Sequence, residues 1–112
     1  MKKIEAVIRP SRLHALKKAL ADIGITGMTV IEVGGFGRQR GHKEMFRGSE
    51  YEVDLLPKIL MTLIIEEKNV EDVIDKMLAE CYTGKFGDGK IFVSPIEEVI
   101  RIRTKERGRE AI

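Results

Sequence analysis

Apolar and polar positions alternate at the start of the chain. Ile4, Ala6 and Ile8 are interleaved with Glu5 and Arg9, the period of two expected of a half-buried strand. Pro10-Ser11 then opens a helix, with Ser11 as its predicted N-cap. Leu13, Leu16, Leu20 and Ile23 recur at helical spacing, and Gly24 supplies the stop. Residues 28–33 are rich in β-formers and predict a second strand. A third covers 59–65 and is apolar on both faces. Asn69 is the predicted N-cap of a second helix, with Glu71 and Asp72 in the first turn, where acids suit the helix dipole. Val70, Val73, Ile74, Met77, Leu78 and Cys81 mark its apolar face, and Gly84 ends it. Residues 91–93 predict a fourth strand and 99–103, alternating apolar and basic, a short final one. The tail TKERGREAI is expected to be mobile or ordered by a partner.

This order, β-α-β, long loop, β-α-β, predicts an α+β, ferredoxin-like βαββαβ sandwich in one domain spanning 1–112. Its two helices cover one face of the sheet. The two-sided apolar third strand implies that something covers the other, and a second copy of the chain is the simplest cover.

Between the second and third strands the pattern breaks. From residue 34 to about 54 there are five glycines and many charges, with no sustained apolar period of either kind. Neighbouring strands are usually joined by two to five residues, so a loop over 37–54 is an insertion or a functional element. It carries Arg38, Arg40, Lys43 and Arg47 against Glu44, Glu50 and Glu52, with Met45, Phe46 and Tyr51 among them. The functional reading is a recognition loop that presents Tyr51.

Composition narrows the classes. The chain has 112 residues, 43% hydrophobic and 34% charged, which suits one soluble folded domain. A net charge of +2 is too balanced for a general nucleic-acid binder, so any anion site must come from local clustering. The single cysteine, Cys81, makes no internal disulfide and points to a reducing, cytoplasmic setting. No apolar run is long enough to span a membrane or act as a signal core.

Three segments can hold an anion. Thr83-Gly84-Lys85-Phe86-Gly87-Asp88-Gly89-Lys90 combines backbone N–H groups with lysines. It comes close to a phosphate-binding P-loop, but Ile91 replaces the hydroxyl residue and the segment runs from helix to strand, the reverse order. Taken alone it is equally a tight glycine turn. Arg101-Ile102-Arg103 puts two guanidinia on one side of a strand, or is a solvated edge. Gly35-Phe36-Gly37-Arg38 is a third flexible stretch with an arginine.

Catalytic groupings are poor. His14 and His42 have no partner at triad or metal spacing, and Cys81 falls on an apolar helix stripe. Asp88 lacks a base partner. An RNA-binding module of the same fold would stack bases on sheet aromatics, and ILMTLII has none.

KKIEAVIRP, GITGMTV, GFGRQRGH, FRGSEY, VDLLPK, TGKFGDGKIFV and VIRIRT, in this order, resemble blocks of the PII nitrogen-regulatory signal-transduction family. The resemblance covers essentially the whole chain. It implies a compact homotrimer that is not an enzyme, with ATP or ADP in clefts between subunits. A flexible T-loop would span about 37–54, a glycine-rich B-loop 83–90 and a C-terminal segment 101–112. Nucleotide contacts would map onto Thr29, Gly37, Arg38, Ile64, Gly87, Asp88, Gly89 and Lys90, with Arg101 and Arg103 from the neighbouring subunit. The effector 2-oxoglutarate would involve Gln39, Lys58 and Gly87, with Gln39 as an oxygen ligand to Mg²⁺. Tyr51 matches a tyrosine that is uridylylated or adenylylated, and Ser49 a position phosphorylated in some lineages. Implied partners are an ammonium transporter, a nucleotidylyltransferase or other nitrogen-assimilation regulators, with no nucleic acid and membrane contact only through the transporter. Gly34, Phe46 and Phe86 depart from common family residues (lysine, tyrosine and isoleucine); none of these departures removes an implied ligand contact.

Overall fold

A computed structural model describes residues 1–36, 42–46, 49–53 and 55–112, the two short internal stretches by their backbone alone. Strand β1 (Lys2–Ile8) leads through one 3-10 turn (Pro10–Arg12) into α1 (Leu13–Asp22), and β2 (Thr29–Gly35) follows. Strands β3 (His42–Phe46) and β4 (Ser49–Val53) precede β5 (Leu56–Ile65). Then come α2 (Val70–Cys81), β6 (Lys90–Pro95) and a short 3-10 helix (Gly108–Ala111).

The main sheet has the antiparallel order β2-β5-β1-β6, so the βαββαβ expectation holds. Register decides which side chains meet. Ile4 faces Leu63, Ala6 faces Met61 and Ile8 faces Ile59, and all six are buried beneath the helices. Leu16 and Leu20 of α1 and Val73, Met77 and Cys81 of α2 close that core. Each fully buried aliphatic side chain of this kind contributes about 1.5–3 kcal/mol. Leu78, expected on the buried face of α2, is 54% exposed.

The other sheet face carries Val7, Leu60, Thr62 and Ile64, flanked by Ile31 and Phe92. Ile31 and Phe92 are half-exposed, at 52% and 51%. The two-sided apolar pattern of β5 is therefore real: one face packs under helices, and the other lies open on this chain.

Four local expectations change. Ser11 is not a helix cap: it lies inside the 3-10 turn, and α1 begins behind Arg12 with no side-chain cap bond. Asn69 does sit at the cap position of α2, yet its side chain makes no cap bond. The stretch read as patternless contains the β3–β4 hairpin, in which Lys43 pairs with Glu52 and Glu44 with Tyr51.

The fourth change is at the C-terminal segment, where the predicted strand over 99–103 is a turn. The Lys105 N–H donates to the Arg101 carbonyl at 2.8 Å, and the Arg101 N–H to the Glu106 carbonyl at 2.9 Å. Only an isolated bridge, Ile100 with Arg107, remains of β structure there. Alternation misleads because the turn leaves Ile102 93% exposed. The tail, expected to be mobile or partner-ordered, packs on its own chain: Ala111 is buried, and Arg109 Nη2 donates to Glu66 Oε2 at 3.2 Å.

Candidate functional site

The loop from α2 to β6 is built around one carboxylate. The Asp88 Oδ2 atom accepts the N–H of Thr83 at 2.7 Å and that of Gly84 at 2.9 Å. Its Oδ1 atom accepts the Thr83 hydroxyl, and the Arg9 Nε at 3.3 Å. The Thr83 hydroxyl bond, followed by the Thr83 N–H bond, holds the Asp88 carboxyl well below the usual carboxylate range. Arg9 also spans the loop, donating from Nη2 to the Phe86 carbonyl at 2.8 Å.

Gly89 fixes where this loop meets β1. Its φ is +101°, and a Cβ there would lie 1.6 Å from the Val7 carbonyl oxygen. Only a residue without a side chain lets the loop lie on the strand so closely. Below it, Lys58 is 8% exposed, and its Nζ donates to the Gly87 carbonyl at 2.7 Å. Burial lowers the Lys58 pKa, the nearby Arg9 charge lowers it further, and Asp88 partly opposes both.

Lys58, Gly87, Asp88 and Gly89 line a cavity of about 540 Å³ that also reaches Gly35, Phe36 and Phe92. Its lining holds Lys58, Lys85 and Lys90 against one carboxylate, Asp88, which is already engaged with Thr83, Gly84 and Arg9. Cations plus glycine backbone are the donor set that phosphate or carboxylate oxygens require.

A second cavity, of about 560 Å³, lies at the other end of β5. Thr29, Thr62, Ile64, Arg101 and Ile112 line it, and no lining residue is shared with the first. Arg101 is held here by its own segment: Nη1 donates to Glu106 Oε1 and Nη2 to the Ile112 main-chain oxygen, both at 3.0 Å. Arg103 is exposed and lies outside the lining, because the turn separates it from Arg101.

The expected site residues thus fall into two groups. Lys58, Gly87, Asp88, Gly89 and Lys90 come together in the first cavity, and Thr29, Ile64 and Arg101 in the second. Gly37, Arg38 and Gln39 lie outside the described residues, as do the side chains of Ser49 and Tyr51 on β4.

Sequence reasoning does not identify Arg9 or Thr83 as holders of Asp88. Arg9 is 79 residues away, and its one signal is an arginine ending a strand. Glu106 is missed because it falls in the tail read as mobile or partner-ordered, beyond the strand expected over 99–103. Cys81 is buried as expected, which raises its thiol pKa. His14 is exposed, and among the described residues no group of His, Cys, Asp and Glu is arranged for a metal ion. No helix among them is long and apolar enough to cross a membrane.

The family model described as Nitrogen regulatory protein P-II matches residues 1–106. A protein of that name from Rhodospirillum rubrum is 56% identical over 112 residues, covering 100% of both chains. Proteins of the same name from Azospirillum brasilense and from a Synechocystis strain are 54% and 53% identical over the same span, again covering 100% of both chains.

Proposed function

The chain belongs to the nitrogen regulatory protein P-II family, and from that premise we propose that it is a homotrimeric, cytoplasmic sensor of ATP, ADP and 2-oxoglutarate. Proteins of this family are signalling proteins and not enzymes, and this chain serves nitrogen regulation in that sense.

One observation carries the ligand reading. A subunit holds two incomplete sites: a cationic glycine cradle at the 56–58 end of β5, and an apolar cavity with one arginine at the 62–65 end. Thr62 lies four residue steps along β5 from Lys58, roughly 13 Å at the usual rise per residue. Two subunits that bury their open sheet faces against each other would bring unlike halves together. In that arrangement Gly87, Asp88, Gly89 and Lys90 cradle the phosphates with their main chain and the Lys90 ammonium. Thr29 and Ile64 accept the adenine end. Arg101 and Arg103 of the neighbouring subunit supply charge to the phosphates, and Gly37 and Arg38 close the site from the loop base.

The 2-oxoglutarate site belongs beside this cradle. Lys58 offers a cation to a ligand carboxylate, next to Gly87, and Gln39 an amide oxygen to Mg²⁺. The 37–54 loop is then the output, presenting Tyr51 for uridylylation and docking on an ammonium transporter, a nucleotidylyltransferase or another nitrogen-assimilation regulator. Ligand state can bias that loop only by the difference in its affinity for the loop's states. Calorimetry with ATP, on a chain whose mass in solution is that of a trimer, tests the reading. Lys90→Ala is expected to weaken binding, and an unchanged affinity would remove the cradle assignment.

A further inference from the structure

Arg101 is already engaged through both of its terminal nitrogens. One Nη donates to Glu106 Oε1 and the other to the Ile112 main-chain oxygen, both at 3.0 Å. The Arg101 and Glu106 side chains are each 37% exposed, so solvent and a ligand can reach the pair. The backbone holds this arrangement. The Arg101 N–H donates to the Glu106 carbonyl at 2.9 Å, and the Lys105 N–H to the Arg101 carbonyl at 2.8 Å. Lys105 sits at φ +62°, a left-handed conformation that a residue with a side chain rarely adopts. The segment is anchored beyond the turn by the Gly108 N–H on the Val99 carbonyl and by Arg109 on Glu66. The clasp closes one wall of the cavity that Thr29 and Ile64 line.

We propose that Glu106 is an affinity-setting residue: an internal anion that occupies Arg101 and must be displaced when ligand phosphate binds there. The inference rests on Arg101 being a phosphate contact. A guanidinium forms its strongest bonds as a two-point fork to one oxyanion, and both terminal nitrogens are already committed within this subunit. Three of the five guanidinium N–H groups remain, but a phosphate that takes the Nη1–Nη2 fork competes with Glu106 for it.

Calorimetry with ATP on the trimer tests this with four proteins: the unaltered chain, Glu106→Gln, Arg101→Ala and the double variant. Removing the competing charge of a half-exposed pair should raise ATP affinity about two- to fivefold in Glu106→Gln. The same substitution in the Arg101→Ala background should change nothing, since Glu106 then has no arginine to occupy. An equal or weaker affinity in Glu106→Gln overturns the proposal, weaker binding meaning that Glu106 positions Arg101 instead. A gain that persists in the double variant also overturns it, because the effect is then a general field. Should Arg101→Ala alone bind ATP normally, Arg101 is no phosphate contact, and the ligand reading itself fails at this residue.

Discussion

Lys58 Nζ donates a 2.7 Å hydrogen bond to the carbonyl oxygen of Gly87, tying β5 to the glycine loop across the mouth of the first cavity. A buried ammonium is thus kept beside the proposed phosphate cradle. Lys58→Met keeps the length of the side chain and removes the charge. It should abolish 2-oxoglutarate binding measured by calorimetry with Mg²⁺-ATP present, and retained binding would sink the role given to Lys58. The charge also predicts a pH dependence. The Lys58 pKa is lowered from 10.5, so effector binding should decline as pH rises through that lowered value, before an ordinary lysine would lose its proton. Stability moves the other way. Between the folded value and 10.5 the unfolded chain binds more protons at this site, so the Lys58 contribution to stability rises with pH there.

Gly89→Ala places a Cβ 1.6 Å from the Val7 carbonyl oxygen at a φ of +101°. Neither conflict relaxes without moving the loop off β1. The expected loss is about 2–4 kcal/mol of stability, with the cradle distorted in whatever remains folded. Gly27→Ala is the control: a Cβ there meets nothing within 4 Å, and stability should hold within about 0.5 kcal/mol. Thermal melts of the two variants give the comparison, and similar melting temperatures would refute the close-approach argument.

Where the sequence has a period, the fold was legible from it. Ile4, Ala6 and Ile8 on one strand and Leu16 and Leu20 on one helix meet in a single core because periods of 2 and 3.6 both present one face. The glycine-rich loop of the first cavity was legible too, since glycines beside lysines leave a compositional mark. The β3–β4 pair was not, because its register sets charged residues such as Lys43 and Glu52 opposite each other and no apolar period runs through the segment. The turn at 101–106 was misread for the opposite reason. Its alternation of Ile100, Ile102 and basic residues imitates a strand, while the backbone bonds fold it back. Arg9 could not be found by spacing at all: its bond to Asp88 spans 79 residues and exists only after β1 and the loop are brought together.

Asp88 is expected to act on ligand through the loop rather than by contact. Its carboxylate is engaged with Thr83, Gly84 and Arg9, so it shapes the cradle in advance of binding. Thr83→Val removes the hydroxyl bond and keeps the side chain's volume. ATP affinity should drop about tenfold, the scale of one charge-assisted hydrogen bond, and Thr83→Ser should restore it. Failure of the serine to rescue would mean that packing of the threonine methyl matters, not the bond. The acid limb gives a second reading. The Asp88 pKa is depressed below 3.8, so its stabilising effect is complete above 3.8 and lost as pH falls through the lower folded value. Asp88→Ala should therefore remove part of the acid sensitivity of unfolding below pH 3.8.

The two half-sites lead to the most discriminating experiment on assembly. Lys90 lines the cavity at one end of β5, and Arg101 lines the one at the other. If each complete site joins the cradle of one subunit to the arginine of the next, Lys90→Ala and Arg101→Ala damage different halves of every site. Each variant alone should bind ATP weakly. Unfolding and refolding the two together in equal amounts should yield mixed trimers. Over the whole refolded population about one quarter of the junctions, one in each mixed trimer, then pair an intact cradle with an intact arginine, by random placement around a ring of head-to-tail contacts. Calorimetry should then show tight binding at about that fraction of sites. A site built within one subunit has no such rescue, because every chain carries one lesion, and the mixture would bind only as weakly as its parents. Recovery therefore reports both that copies of the chain associate and that their unlike ends meet at the ligand.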